Sequence, residues 1–225
     1  PGQSIEFDWG QVKLTIGGVC YTMMLAVFVS NYSGYRWAYL FHKQDMTSFC
    51  ESHTRFFNHF GAVPHEIVYD NMRVAVAKFS FDAKKKQATE SLLKLSSYYQ
   101  FQYRFCNAYK GNEKGTVERS VEYVRRKSFC ITDTFETLEQ ANIHLLQTCQ
   151  KLNDRKALGK EQTTMVLAQE EKVKMIPARE AYDTGVFTRL YFDKYHCVSI
   201  DTNSYSIPES IHGKYVNVKL YTDRF

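Results

Sequence analysis

Three carboxylates stand where a hard metal ion can be held: Asp8 within an alternating apolar run, Asp70 directly after Ile67-Val68-Tyr69, and Glu118 within Lys114-Gly115-Thr116-Val117-Glu118-Arg119. Mg²⁺ and Mn²⁺ take oxygen ligands and keep several waters, so three acids facing a phosphate suit them. Two such ions activate a hydroxyl nucleophile and stabilise the leaving oxygen of an in-line displacement. Each acid alone also has an ordinary place: Asp8 on a solvated strand face, Asp70 in a turn, Glu118 on an exposed helix. They act together only if two strands and a helix bring them to one point.

The elements around them are of the right kind. Ser4 to Trp9, continuing to Ile16, alternates apolar and polar residues, and Gly17-Gly18 suits the positive φ angles of a tight hairpin, so Val19 to Val29 should return antiparallel as a core strand. Tyr35 to Phe41 makes a third strand. A helix from Thr47 places Phe49, Phe56, Phe57 and Phe60 at helical spacing and stops at Gly61. A short buried strand then ends at Asp70, and the carboxyl end of a strand is where open α/β sheets place their chemistry. Thr89 to Tyr99 reads as a helix capped by Thr89, Phe101 to Phe105 as a strand, Thr116 to about Phe129 as a helix, and Phe135 to Asn153 as another. Residues 154–180 are mixed and charged, a connector with a short helix. After them, Phe187 to Phe192, Tyr195 to Ile200, Tyr205 to Ile207 and Tyr215 to Tyr221 are short strands that fit a small closed β-barrel. The expected domains are therefore 1–153, a connector over 154–180, and 181–225.

Composition narrows the class. With 225 residues, 44% hydrophobic and 15% aromatic, the chain can bury a substantial core. Its longest apolar run, Val19 to Val29, is too short to span a bilayer. The six cysteines, at 20, 50, 106, 130, 149 and 197, are scattered without C-x-x-C pairs. They read as reduced thiols of a cytoplasmic protein, mostly in the core. None of the seven His residues has a helical partner or a neighbouring Cys at ligand spacing, so His ligation of metal is not expected; His65, near Asp70, remains a candidate for a single mutant. The chain opens on Pro1-Gly2 without an initiating Met, which reads as an excised fragment, so that a sequence-reading domain, if present, must lie upstream of Pro1.

A net charge of +5 decides little, but the basic residues cluster near Glu118. Lys110, Lys114, Arg119, Arg125, Arg126 and Lys127 form a candidate track for a DNA backbone, where cations neutralise phosphates and release counterions. Lys84-Lys85-Lys86, in an exposed loop over 79–87, is a weaker candidate. Glu113 and Glu118, five positions apart, differ by about 140° around a helix and cannot both point inward. Val117 and Val121 would seat the helix on the sheet, with Glu118 at the border of that apolar face.

Ile5-Glu6-Phe7-Asp8-Trp9-Gly10 with the hairpin after it, Ile67-Val68-Tyr69-Asp70-Asn71, and Lys114-Gly115-Thr116-Val117-Glu118-Arg119 resemble the three acidic motifs of the IstA-type bacterial transposases, relatives of the retroviral integrases. Tyr205-Ser206-Ile207-Pro208 and Gly213-Lys214-Tyr215-Val216 resemble that family's small C-terminal barrel. The resemblance implies an α/β, RNase H-like core with a five-stranded mixed sheet and flanking helices. It also implies an Asp-Asp-Glu site of Asp8, Asp70 and Glu118 using two Mg²⁺ or Mn²⁺ ions. The enzyme would be a DNA transposase, a polynucleotidyl transferase acting in the bacterial nucleoid as a homo-multimer on transposon ends and target DNA, with an IstB-type ATPase helper. The 48 positions from Asp70 to Glu118 exceed the retroviral spacing, and the loop over 79–87 absorbs the excess. Two other functions share these features: an integrase-fold DNA-binding or assembly protein without catalysis, and an RNase H-fold nuclease that cuts without joining.

Overall fold

The computed structural model describes residues 2–70, 72–78, 87–106, 115–156 and 159–224, with the side chains of 78 and 115–118 outside that description. The Lys84-Lys85-Lys86 loop and the approach carrying Lys110, Glu113 and Lys114 lie outside the described residues. Two compact units are present, Pro1–Tyr182 and Asp183–Phe225.

In the first unit, β1 (Ser4–Ile16) turns through Gly17 and Gly18, both at positive φ, into β2 (Val19–Ser30). The pair is antiparallel, with Ile5 opposite Ser30 and Ile16 opposite Val19, the register that a two-residue primed turn imposes. Val19 to Thr22 are exposed, so only the part of β2 from Met23 onward belongs to the core. β3 (Arg36–Phe41) adds antiparallel to β2. Helix α1 (Met46–Phe60) starts at Asp45, whose carboxylate accepts from Ser48 N at 2.8 Å, and stops at Gly61 at φ 75°.

β4 (Ala62–Val63) precedes β5 (Glu66–Tyr69), which lies parallel to β1. β6 (Val76–Lys78) and β7 (Gln87–Ala88) pair antiparallel. Next come α2 (Glu90–Tyr99), capped by Thr89, and β8 (Gln102–Phe105), parallel to β5. They are followed by α3 (Gly115–Phe129), β9 (Thr134–Phe135), α4 (Leu138–Asn153), α5 (Thr164–Lys172) and β10 (Ile176–Pro177).

The main sheet has the order β3-β2-β1-β5-β8, with antiparallel pairing on one side of β1 and parallel on the other. To these five strands the two-residue β9 adds a short parallel ladder with the far end of β1. One face of the sheet packs an aromatic core with α1 and α2 around Phe7, Phe28, Phe49, Phe56 and Tyr69. The other packs Val12, Leu14, Leu25, Val27 and Leu40 against Val124 of α3 and Leu145 of α4. Strand alternation explains the split, because neighbouring residues of β1 point to opposite layers.

The edge of β3 does not face solvent. Asn142 of α4 accepts from Leu40 N at 2.7 Å and donates to Leu40 O at 3.3 Å. Three helical turns on, Asn153 accepts from Arg36 N at 3.0 Å and donates to Arg36 O at 2.8 Å. Side-chain amides thus satisfy backbone groups that an edge strand leaves open.

The segment expected as a connector is tied into this unit. Glu171 of α5 is fully buried, and its carboxylate accepts from Ser30 Oγ at 2.7 Å and Ser33 Oγ at 2.5 Å. Charge-assisted bonds of this kind offset the cost of removing a carboxylate from water.

The second unit contains β11 (Val186–Tyr191), β12 (Cys197–Ile200), β13 (Asn203–Ser206) and β14 (Tyr215–Leu220). These form two antiparallel pairs, β11 with β14 and β12 with β13, linked through a bridge between Phe192 and Val198. Among the described residues no ladder joins the pairs into the closed barrel expected from the sequence, since β14 returns to β11 and leaves the four-residue β12 and β13 as a separate hairpin.

Candidate active site

Strand register brings the first two acids together. β1 and β5 run parallel with Glu6 beside Val68 and Phe7 beside Tyr69, and Asp8, still within β1, and Asp70, just past the end of β5, each follow that last pair by one residue. Paired strands lie about 4.8 Å apart, a span that one cation bridges. Both residues are half-buried. One Asp8 oxygen accepts from Trp9 N at 2.8 Å, which fixes that carboxylate against its own strand. The row extends to β8, where Phe105 pairs with Tyr69 and the buried Cys106 follows. Glu6, also buried, sits on the same face two residues before Asp8.

Helix α3 covers this face, and Gly10 determines how closely. A Cβ on Gly10 would lie 2.5 Å from Cγ1 of Val121, so the helix rests where β1 has no side chain. Val121 is the seating residue expected from the sequence. Gly10 is the part that sequence reasoning missed, because its role depends on a residue more than a hundred positions away. Glu118 lies three residues before Val121, near the start of α3. Its side chain is outside the described residues. Among those described, no group of three His, Cys, Asp or Glu side chains could hold a metal ion. The donor set at Asp8 and Asp70 is all oxygen, which fits Mg²⁺ or Mn²⁺ and not a soft metal.

Of the candidate DNA contacts, Arg119, Arg125, Arg126 and Lys127 are exposed on α3. They do not share one face. Arg119 and Arg126, seven residues apart, are nearly in line, whereas Arg125 turns back to donate to the Gln11 carbonyl at 3.3 Å. Lys127 reaches over the Tyr123 ring, 5.8 Å from its centroid. His65 is at the opposite end of β5 from Asp70, with Nε2 2.9 Å from the Lys174 carbonyl; its contact is structural.

A different histidine supports the site. His53 of α1 is fully buried, with Nδ1 2.7 Å from the Phe49 carbonyl and Nε2 2.8 Å from the Tyr69 hydroxyl. The carbonyl can only accept, so Nδ1 carries the proton and Tyr69 donates to Nε2. Tyr69 immediately precedes Asp70, and α1 thereby holds the end of β5. Burial pushes the His53 pKa from 6.5 down to about 3, opposed by the Phe49 bond. The folded state keeps the ring neutral while the unfolded chain takes a proton below 6.5, so stability is lost as pH falls from about 6.5 toward 3. The stability gap between the parent and His53→Gln should then narrow by about 1.4 kcal/mol per pH unit well below 6.5. Parallel denaturation curves at several pH values check this, and a constant gap would show that His53 does not titrate on unfolding.

No helix among the described residues is long and apolar enough to cross a membrane. None of the six cysteines forms a disulfide; Cys50, Cys106 and Cys149 are buried, whereas Cys20 and Cys130 are exposed.

Comparison with known proteins gives a consistent result. Residues 176–225 match the family described as Mu transposase, C-terminal domain. A protein named transposase from Aminobacter aminovorans is 30% identical over 227 residues, covering 100% of this chain and 44% of the relative. The transposase for insertion sequence element IS21 of Pseudomonas aeruginosa is 26% identical over 228 residues, covering 99% of this chain and 57% of the relative. The chain thus spans about half the length of these relatives. Among solved structures, a chain of the simian T-cell lymphotropic virus intasome in complex with PP2A regulatory subunit B56 gamma aligns with TM-score 0.58 at 16% identity, over 96% of this chain and 79% of that one. The HTLV-2 integrase catalytic core domain in complex with magnesium aligns with TM-score 0.52 at 15% identity, over 75% of this chain and 97% of that one. At such identities the likeness is one of fold.

Proposed function

This chain is a homologue of the transposases of bacterial insertion sequences on a retroviral-integrase fold, and from that premise we propose that it is the catalytic part of a transposase that cuts DNA at transposon ends and joins them to target DNA. The observation that carries this reading is the register that continues Phe7 and Tyr69 into Asp8 and Asp70, beneath a helix seated on Gly10.

Asp8 and Asp70 would hold divalent metal, and Glu118 would complete the ligand set from α3. Divalent ions bound there supply activation of the attacking hydroxyl and neutralisation of charge on the phosphate. The protein's own contribution is position. β1 and β5 fix two carboxylates at strand separation, His53 holds the end of β5 through Tyr69, and Gly10 sets the height of the helix. Arg119 and Arg126 lie in line on α3 for phosphates of the bound duplex. The working form is a homo-multimer on DNA, since two ends must be joined in concert, and an IstB-type ATPase serves as its helper.

The test is metal binding by calorimetry, with strand transfer of a labelled transposon end measured alongside. Two apposed carboxylates repel until a cation screens them. Asp8→Asn and Asp70→Asn should each abolish Mg²⁺ or Mn²⁺ binding and strand transfer while leaving the fold intact. Unchanged metal affinity in both variants would disprove the shared site, and cutting without joining by the parent protein would make it a nuclease.

A further inference from the structure

In the second unit, the aromatic side chains of the β11 and β14 strands are exposed. Pairing of β11 with β14 puts Phe187 opposite Lys219, Arg189 opposite Asn217 and Tyr191 opposite Tyr215, all on one face of the ladder. Phe187, Tyr191 and Tyr215 are 73%, 60% and 51% exposed, while Leu190, Val216 and Val218 on the other face are half-buried. A single exposed ring needs no explanation, but three on one ladder do.

The rings are interleaved with positive charge. The Arg189 guanidinium lies 4.4 Å from the Tyr215 ring centroid, and Lys219 Nζ lies 5.0 Å from that of Phe187. Tyr191 and Tyr215 meet edge to face at 5.9 Å. Strands β11 and β14 carry these two cations and no carboxylate. Lys219 is already engaged by Asp183, which leaves Arg189 as the cation for a ligand.

From this arrangement we propose that the β11–β14 face binds an unpaired nucleic-acid strand, with bases stacked on Phe187, Tyr191 and Tyr215 and a phosphate on Arg189. Bases stack on exposed rings whatever their sequence, and a guanidinium between rings serves the backbone. A duplex buries its base faces and would call for cations without rings. A protein partner would call for aliphatic side chains at the centre, and the aliphatic residues here face the other way. Residues along one strand face repeat about every 6.7 Å, a spacing that a stretched strand of nucleotides can follow.

The test uses the whole 225-residue chain and fluorescence anisotropy with labelled oligothymidylate, against a duplex of the same length. The double variant Tyr191→Ala with Tyr215→Ala should lose at least about tenfold in affinity for the single strand. Its duplex affinity should be unchanged. Tyr191→Phe with Tyr215→Phe should bind the single strand as the parent does, since a phenyl ring still stacks, and this pair guards against misfolding of the alanine variant. Asp8→Asn should also bind it fully, which separates this proposal from the catalytic one. Unchanged single-strand affinity in the alanine pair would overturn the proposal. So would an equal loss for both probes, which would make the face a reader of duplex backbone, or a drop in oligomeric size on sedimentation, which would make it a protein contact.

Discussion

Glu118→Gln is expected to abolish strand transfer, with a loss of at least about 10³-fold, while Glu113→Gln retains most of it. The change keeps side-chain size and removes one negative charge from the ligand set, and metal stabilisation of the reacting phosphate is worth several kcal/mol. Glu118 lies within α3, which begins at Gly115, whereas Glu113 precedes that helix in the sequence. The side that faces the sheet is set by Val121 over Gly10, and Val124 three positions further is fully buried on the same core. Glu118 precedes Val121 by three residues, about 60° round the helix, so in the proposed site it is the acid carried by the element that Val121 seats on β1. Full activity in Glu118→Gln with inactivity in Glu113→Gln would invalidate the assignment and the site built on it.

Gly10→Ala should be nearly as damaging, although the glycine carries no functional group. The added methyl would lie 2.5 Å from Val121 Cγ1, and a β-branched side chain seated on a strand has little room to yield. Overpacking of this kind costs about 1–3 kcal/mol. The larger expected consequence is for activity, since raising α3 would shift Glu118 within the proposed metal site, and a misplacement near 1 Å can cost about 10²-fold. Pairing Gly10→Ala with Val121→Ala should recover most of both losses. Thermal melts and strand-transfer rates of the two single variants and the double variant measure this. If Gly10→Ala is active and melts normally, the helix is not held where its chemistry requires.

The sequence displays these parts unequally. The hairpin at Gly17-Gly18, the phenylalanine stripe of α1 and the apolar run ending at Asp70 are local patterns with a local cause, and the structure places them as expected. Val121 is legible for the same reason. Gly10 is not, because in a strand it looks like a weak point until the helix that needs the space is known. Glu171 lies in Glu170-Glu171-Lys172, which reads as solvated surface, and only Ser30 and Ser33 at the end of β2 reveal a buried acceptor. His53 is hidden in the polar spacing between Phe49 and Phe56, and its partner belongs to another strand. The number of short strands after residue 185 was legible, but their pairing was not. Which strand returns to which depends on contacts between segments, and here it produces two hairpin-like pairs.

The paired asparagines of α4 also bear on how the protein behaves at high concentration. An open strand edge is a template for aggregation or domain swapping, because an incoming chain gains backbone bonds that water supplied before. At Arg36 and Leu40 those bonds are already made within the protein, so an incoming strand would have to displace Asn153 and Asn142 for an even trade. The outermost strand is thereby chemically interior. Amide hydrogens at Arg36 and Leu40 should exchange with solvent as slowly as those of central β2, and self-association by sheet extension is blocked on that side without a proline or a bulge.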